Sequence, residues 1–313
     1  MRRIAVVVAI AGLIGGILSG CSSDDGSDGA VRVVATTTIL GDLVRNVVGD
    51  RADVEVLMPA GVNPHDFQPS SQQVAAIQRA DLVVANGLGL EEGLHDVLEA
   101  AVADGVRVWE VAPDIEPRSF VEVVEAEEEN DDHEDGTLDP HFWLDPLRVA
   151  TAATMLSDHL AEIAPDLDWS TAAAEYSADL ATLHADSVER LSVLSPEERK
   201  LVTNHLSFGY FSDLYRFELI GTVIPGGASL ANPSSAELAS LVEVIEREQV
   251  PAIFTETIEP DALAQAVAAE VGRDIAVVEL YTGSLGESGT DGDTLIGMLE
   301  TNVKRIAEAL GTP

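Results

Sequence analysis

Apolar residues fall along this chain in two alternating rhythms. Val31 to Thr37 is an unbroken, largely β-branched run, which predicts a buried strand. From Thr38 the apolar positions take helical spacing as far as Val48, with Thr38 as the cap and Gly49 as the stop. The same alternation continues through strands predicted at Val54 to Met58, Leu82 to Ala85 and Val106 to Val111. Helices are predicted between them, from Ser70 or Ser71 to Arg79 and from Glu91 to Ala103. Strand followed by helix, repeated, predicts a mostly parallel sheet covered on both faces.

The rhythm breaks at Glu122 to Gly136, where Glu125 to Asp135 is almost wholly acidic around a single His133; such a run reads as a solvated loop. Helical spacing returns at Leu147 to Ala164 and again from a cap at Asp168 or Ser170 to about Leu194, where Ser195-Pro196 ends it. Tyr176, Leu180, Leu183, Val188, Leu191 and Leu194 form its apolar stripe. At 1.5 Å per residue this second helix is a rod of roughly 38 Å, long enough to run the length of a two-lobed protein. A second α/β alternation follows, with strands at Lys200 to Thr203, Leu219 to Ile224, Ile253 to Thr257 and Ala276 to Tyr281. Helices are predicted from Ser234 or Ser235 to Arg247, from Ala262 to Val271 and from about Thr294. The expected architecture is α/β: two lobes, 31–167 and 196–313, each a mostly parallel sheet flanked by helices, joined by one long rigid helix at 168–195.

Length supports two lobes, because 313 residues exceed a typical single core. Charge narrows the partners. With 55 acidic against 17 basic residues and a formal net charge of −38, the surface repels nucleic acid and anionic substrates and gathers cations. The first residues change the compartment. Arg2-Arg3 followed by the apolar run Ile4 to Leu18 reads as an export signal, too short to span a bilayer. Leu18-Ser19-Gly20-Cys21 resembles the bacterial lipobox, which implies cleavage after residue 20 and a lipid on Cys21, the only cysteine. Residues 21–30, rich in Ser, Asp and Gly, would then tether a monomer to the extracytoplasmic face of the cell membrane.

Three histidines stand out by their mounting. His65 follows Pro59-Ala60-Gly61-Val62-Asn63-Pro64 at the end of a strand, and His141 lies between two Asp-Pro turns in Asp139-Pro140-His141-Phe142-Trp143-Leu144-Asp145-Pro146. His205 leaves the end of a strand in Asn204-His205. Loops at strand ends of open α/β sheets are where ligands bind, and imidazole suits zinc and other borderline divalent ions. His95, His159 and His184 are expected as exposed helix residues.

These motifs, with Phe208-Gly209-Tyr210-Phe211, the Glu256 strand and Ser284-Leu285-Gly286, resemble the solute-binding lipoproteins of zinc and manganese ABC transporters along essentially the whole mature chain. The resemblance implies a divalent cation, Zn2+ or Mn2+, held in the interlobe cleft by His65, His141 and His205 and delivered to an ABC permease for import. Histidine at the third position tilts the choice to zinc. The family's usual fourth ligand, a carboxylate before the Ser-Leu-Gly turn, is replaced here by Gly283. Its role then falls to water or to a neighbouring acid: Glu256, Glu279, Glu287 or Asp291. Two other readings share the scaffold: a metal chaperone or cell-adhesion protein, and a zinc hydrolase with Glu256 as general base. The hydrolase lacks any His-Glu-x-x-His motif.

Overall fold

A computed structural model describes residues 30–121, 138–226 and 233–311. The acidic loop with His133 and the N-terminal segment with Cys21 lie outside the described residues. Four parallel strands, β1 (Val31–Ala35), β2 (Ala52–Val56), β3 (Leu82–Ala85) and β4 (Val108–Glu110), form a first sheet in the order β2-β1-β3-β4. Four more, β5 (Lys200–Thr203), β6 (Glu218–Thr222), β7 (Ala252–Glu256) and β8 (Ala276–Leu280), form a second in the order β6-β5-β7-β8, also parallel. The two sheets thus repeat one winding. In each, the chain leaves its first strand to one side and returns on the other, which opens a crevice beyond the carboxyl ends of the central pair.

The described helices are α1 (Thr38–Val48), α2 (Ser71–Ile77), α3 (His95–Ala103), α4 (Val111–Asp114), α5 (Pro146–Ile163), α6 (Ser170–Leu191), α7 (Gly209–Tyr215), α8 (Ser235–Glu248), α9 (Ala262–Glu270) and α10 (Leu295–Leu310). The lobes share one interior. A continuous apolar core runs from Val33 and Leu43 through Trp143, Leu156 and Leu180 to Val202, Phe211, Leu219 and Met298. A smaller cluster, with Val34, Leu57, Ile77, Val83 and Leu98, covers the other face of the first sheet. Between the lobes in sequence lies α6, which packs on α5, α10 and α1. It is the spine expected from the stripe, and its N-terminus is held by Asp168, whose carboxylate accepts the N–H groups of Ser170 (3.1 Å) and Thr171 (3.2 Å).

Two of the local departures from expectation have simple causes. The buried stripe of α6 passes through Ser187, while Val188 is 48% exposed. Position 187 keeps the spacing from Leu183 to Leu191, and its hydroxyl donates to the Leu183 carbonyl (2.7 Å), so burial leaves no polar group unpaired. At α1 the cap is Thr37, which accepts from the Leu40 N–H (3.1 Å). Thr38 is thereby freed to accept the N–H of Leu285 (2.9 Å), from the far lobe. His95 is exposed as expected, but His159 and His184 are half-buried, packed against Trp109 (ring centroids 4.7 Å apart) and Tyr215 (5.6 Å).

Leu180, fully buried on α6, tests the shared core. Leu180→Ala should destabilise the protein by about 3 kcal/mol through the lost transfer energy and the cavity left behind. Because one core serves both lobes, urea unfolding should remain a single transition shifted to lower denaturant; two separated transitions would contradict a continuous interior.

Candidate metal centre

Each candidate histidine is fixed through its own backbone before its ring is considered. The His65 N–H donates to Asn63 Oδ1 (3.0 Å), folding the Asn-Pro-His bend back on itself. Just upstream the chain turns at Gly61 with φ +77°, a left-handed conformation glycine adopts without strain, and the Gly61 N–H donates to the Ser284 hydroxyl (2.9 Å). For His141, a bridge between Ser119 and Leu138 sets the approach, and Asp139 Oδ1 accepts the His141 N–H (2.9 Å). The Pro140 carbonyl accepts from Asn86 Nδ2 (3.0 Å). Behind Asn86 lies Glu91, a fully buried carboxylate that accepts from the Thr36 hydroxyl and the Asn86 and Gly87 N–H groups. Phe142 and Trp143 are buried, and the Trp143 indole donates to the Thr282 carbonyl (2.8 Å) across the lobes. His205 follows β5 directly, and the Thr203 hydroxyl donates to its carbonyl (2.8 Å).

The three rings meet. Their centroids lie 5.6 Å (His65 to His141), 5.7 Å (His65 to His205) and 5.2 Å (His141 to His205) apart, with the residues only 7%, 1% and 2% exposed. One potential ligand atom from each lies within 4.8 Å of the others. Nε2 of His141 and Nε2 of His205 are 3.3 Å apart. Two nitrogens bound at 2.0–2.1 Å to a tetrahedral ion stand about 3.3 Å from each other, so this pair already has the spacing of one edge of such a site.

What turns those nitrogens inward is the engagement of the opposite ring atoms. His141 Nδ1 lies 2.8 Å from Asp139 Oδ1, and His205 Nδ1 lies 2.5 Å from Glu256 Oε1. A carboxylate at Nδ1 accepts a hydrogen bond from the ring N–H, which favours the tautomer protonated there and leaves Nε2 as a lone-pair donor. Glu256 stands at the end of β7, the strand paired to β5, so the sheet's own winding places it behind His205. Its second oxygen accepts from the Thr282 hydroxyl (2.6 Å). Both Glu256 oxygens are thus engaged away from the converging nitrogens. Sequence reasoning took the Asp139-Pro140 pair as a turn and missed the carboxylate's second task, although an acid two residues before a histidine is the signal for it.

Burial shapes the charge states. It pushes the His65 imidazole down to about 3, helped by His141 and His205, and with the help of His205 holds His141 well below the ordinary value. Burial would lower His205 as well, but the charge of Glu256 and its hydrogen bond outweigh it and raise this imidazole. Glu256 resists its own desolvation through His205 and Thr282 and is held below the usual carboxylate range. Burial lifts Asp139 to about 7 against the pull of the His141 N–H and Arg118.

Gly283 carries no donor, and its surroundings explain why none is accommodated as the loops stand. A Cβ there would meet Pro64 Cδ and Ile258 Cδ1 at 2.9 Å. The space is already filled by one side chain from each lobe. Glu279, Glu287 and Asp291 are exposed.

A family model described as zinc-uptake complex component A, periplasmic, matches residues 33–309. The chain is 31% identical over 300 residues to the manganese-binding lipoprotein MntA of Halalkalibacterium halodurans, covering 94% of each. It is 29% identical over 316 residues to the zinc-binding protein TroA of Treponema pallidum, covering 99% of this chain and 98% of that one. The zinc-binding lipoprotein AdcA of Streptococcus pneumoniae is 28% identical over 316 residues; 98% of this chain matches, spanning 61% of AdcA. Among solved structures, the periplasmic zinc-binding protein TroA from Treponema pallidum aligns with a TM-score of 0.81 at 26% identity, over 91% of this chain and 100% of that one.

In metal-free protein, the ring signals of His65 and His141 should stay those of neutral imidazole from pH 8 to 5, while His205 titrates above 6.5. Glu256→Gln removes the cause of the rise, so His205 should then fall below 6.5. Unfolded chains take up protons at His65 and His141 near pH 6.5, whereas folded His65 does so only near 3. These two histidines therefore withdraw stability as pH falls through that window, while Asp139, which takes its proton near 7 when folded and near 3.8 when unfolded, adds it. Asp139→Asn removes the opposing contribution, so its urea midpoint should fall more steeply with acid than that of the unaltered protein.

Proposed function

The chain belongs to the family of periplasmic component A of zinc-uptake complexes, and from that membership we propose that it captures a divalent cation outside the cytoplasm and passes it to an ABC permease for import. The observation that carries this reading is the convergence of His65, His141 and His205, with a pair of imidazole nitrogens at the spacing of a tetrahedral edge. The reading makes these three rings the ligands, Asp139 and Glu256 their orienting partners, and the ion the cargo. Zinc is the preferred ion. All three side-chain donors are nitrogens, Gly283 adds no oxygen, and nitrogen-rich sites favour zinc over manganese in the general order of affinities.

Capture then follows from the charge states. His65 and His141 are already neutral and present lone pairs without releasing protons. His205 gives up the proton that Glu256 encourages it to keep, and the carboxylate's charge then serves the cation. A water completes the fourth position. The lipid anchor at Cys21, monomeric state and lobe boundaries at 31–167 and 196–313 around a linking segment 168–195 belong to the same proposal. On this reading Glu256, with one oxygen on His205 Nδ1 and the other on the Thr282 hydroxyl, orients His205 and takes no catalytic part.

Calorimetric titration of the apo protein at neutral pH should show one zinc per chain and much weaker manganese binding. His141→Ala should weaken zinc by more than ~100-fold, beyond the 10–100-fold loss typical of an outer-shell partner. Unchanged affinity in that variant would remove His141 from the site and with it the proposal. Glu256→Gln should weaken binding 10–100-fold and lower the number of protons released, because it removes the group that raises the His205 imidazole.

A further inference from the structure

One hydrogen bond crosses the mouth of the cleft between groups that the binding reading leaves unused. Asn63 Nδ2 donates to Glu259 Oε1 at 2.5 Å. Asn63 is buried, and its other amide atom, Oδ1, accepts the His65 N–H. Glu259 is half-buried, and its own N–H donates to the Glu256 carbonyl (3.2 Å), closing the turn that leaves β7. The bond therefore joins the residue that braces His65 in one lobe to the turn that begins at Glu256, the partner of His205, in the other. Beside it, Pro64 and Ile258, one from each of the same two loops, flank Gly283, which leaves them room to approach.

We propose that the Asn63–Glu259 pair is a clasp that holds the two ligand-bearing loops together and so sets how fast a bound divalent cation is released. The clasp rests on the metal-binding reading above and adds to it a pair of positioning residues that touch no ion. Closing the loops keeps His65 against the rigid His141–His205 pair. With the clasp open, the Asn63-Pro64-His65 bend is free to move out with its ring, and the ion is left on two nitrogens. A hydrogen bond to a charged acceptor, half withdrawn from water, is strong enough for this task.

Charge alone predicts the opposite behaviour for one substitution, which makes the test decisive. Asn63→Asp keeps an oxygen to accept the His65 N–H but sets a carboxylate against Glu259, so the clasp opens by repulsion. The added negative charge beside the cation would by itself slow release. Zinc release from the loaded full chain, followed by stopped flow into excess chromogenic chelator, should be about tenfold faster in Asn63→Asp, the loss expected for a charge-assisted hydrogen bond. In the double variant Asn63→Asp/Glu259→Gln, the glutamine amide can donate to the new carboxylate, and release should return to within about threefold of the starting protein. Release in Asn63→Asp that is equal or slower, or a double variant as fast as the single, overturns the clasp.

A metal-independent readout separates this from failure of the binding reading. In the zinc-free protein, amide hydrogen exchange across 61–66 and 257–260 should speed up in Asn63→Asp and recover in the double variant. Unchanged exchange there also overturns the clasp, whereas absence of zinc uptake by the unaltered chain overturns the binding reading itself.

Discussion

Imidazole is a poor thing to bury. Each ring has two nitrogens, and removing both from water without partners costs free energy on every one of them. Three rings packed within 6 Å of one another are tolerable only if most of their polar atoms are satisfied and their charges are suppressed. Here Asp139 and Glu256 each engage one nitrogen of a ring, and burial keeps His65 and His141 neutral. The remaining nitrogens converge and are served best by a single cation. The arrangement thus gives up stability to a cluster that only a bound ion fully relieves, and such a sacrifice is expected at functional sites.

Holding that cluster requires positions accurate to a fraction of an ångström, and the fold supplies them by repetition. The same winding in both sheets gives each a crevice at its strand ends, and His141 and His205, one from each lobe, meet with their Nε2 atoms 3.3 Å apart. His205 follows β5 after Asn204 and its partner Glu256 ends the neighbouring β7, so the pairing of those strands brings the two together. His141 has no strand of its own. It is pinned instead by a layered support: the buried Glu91 fixes Asn86, Asn86 holds the Pro140 carbonyl, and Tyr210 donates to the Asp139 carbonyl (3.0 Å) from the opposite lobe. Gly209 permits that last approach, since a Cβ there would come within 2.5 Å of Asp139 Oδ2. Arg118 adds a bond to the Gly209 carbonyl and an ion pair with Asp213.

Much of this was legible in residue order, and the boundary of legibility is itself physical. Parallel α/β lobes follow from the alternation of apolar runs and helical spacing, because burial on two faces imposes that pattern locally. His65, His141 and His205 were visible because each sits at a strand end or turn in a loop stiffened by proline or aromatic residues: Pro64 beside His65, Pro140 and Phe142 beside His141, and Phe208 three residues after His205. Their convergence does not follow from their spacing along the chain, and only the resemblance to known solute-binding proteins suggested it. The unread features are those made between lobes. Glu259 looks like any surface acid until β7 is set beside β5 and the Asn63 bend comes down on it. Ser187 displaced Val188 from the spine's buried face because a hydroxyl with an internal acceptor can be buried more readily than its polarity suggests. The Gly283 departure pointed to a missing ligand, whereas its neighbours Pro64 and Ile258 show that the glycine also makes room for the loops to meet.

That last point bears on how such a centre reconciles holding an ion with giving it up. A fourth ligand from the protein would tighten the grip by coordination, and a bond to the metal must then be broken for release. Where glycine stands in its place, closure depends instead on contacts between protein groups: Asn63 with Glu259, Gly61 with Ser284, Thr38 with Leu285 and Trp143 with Thr282. Each is a single hydrogen bond, worth about 1 kcal/mol net between neutral partners and up to about 3 with a charged one. Several such bonds keep the lobes together in the resting protein, yet each yields separately to a competing partner. A site closed by weak bonds between protein groups can be opened from outside one contact at a time, and once His65 moves off with its loop the ion is left on two nitrogens, which is what a carrier that must hand over its cargo needs.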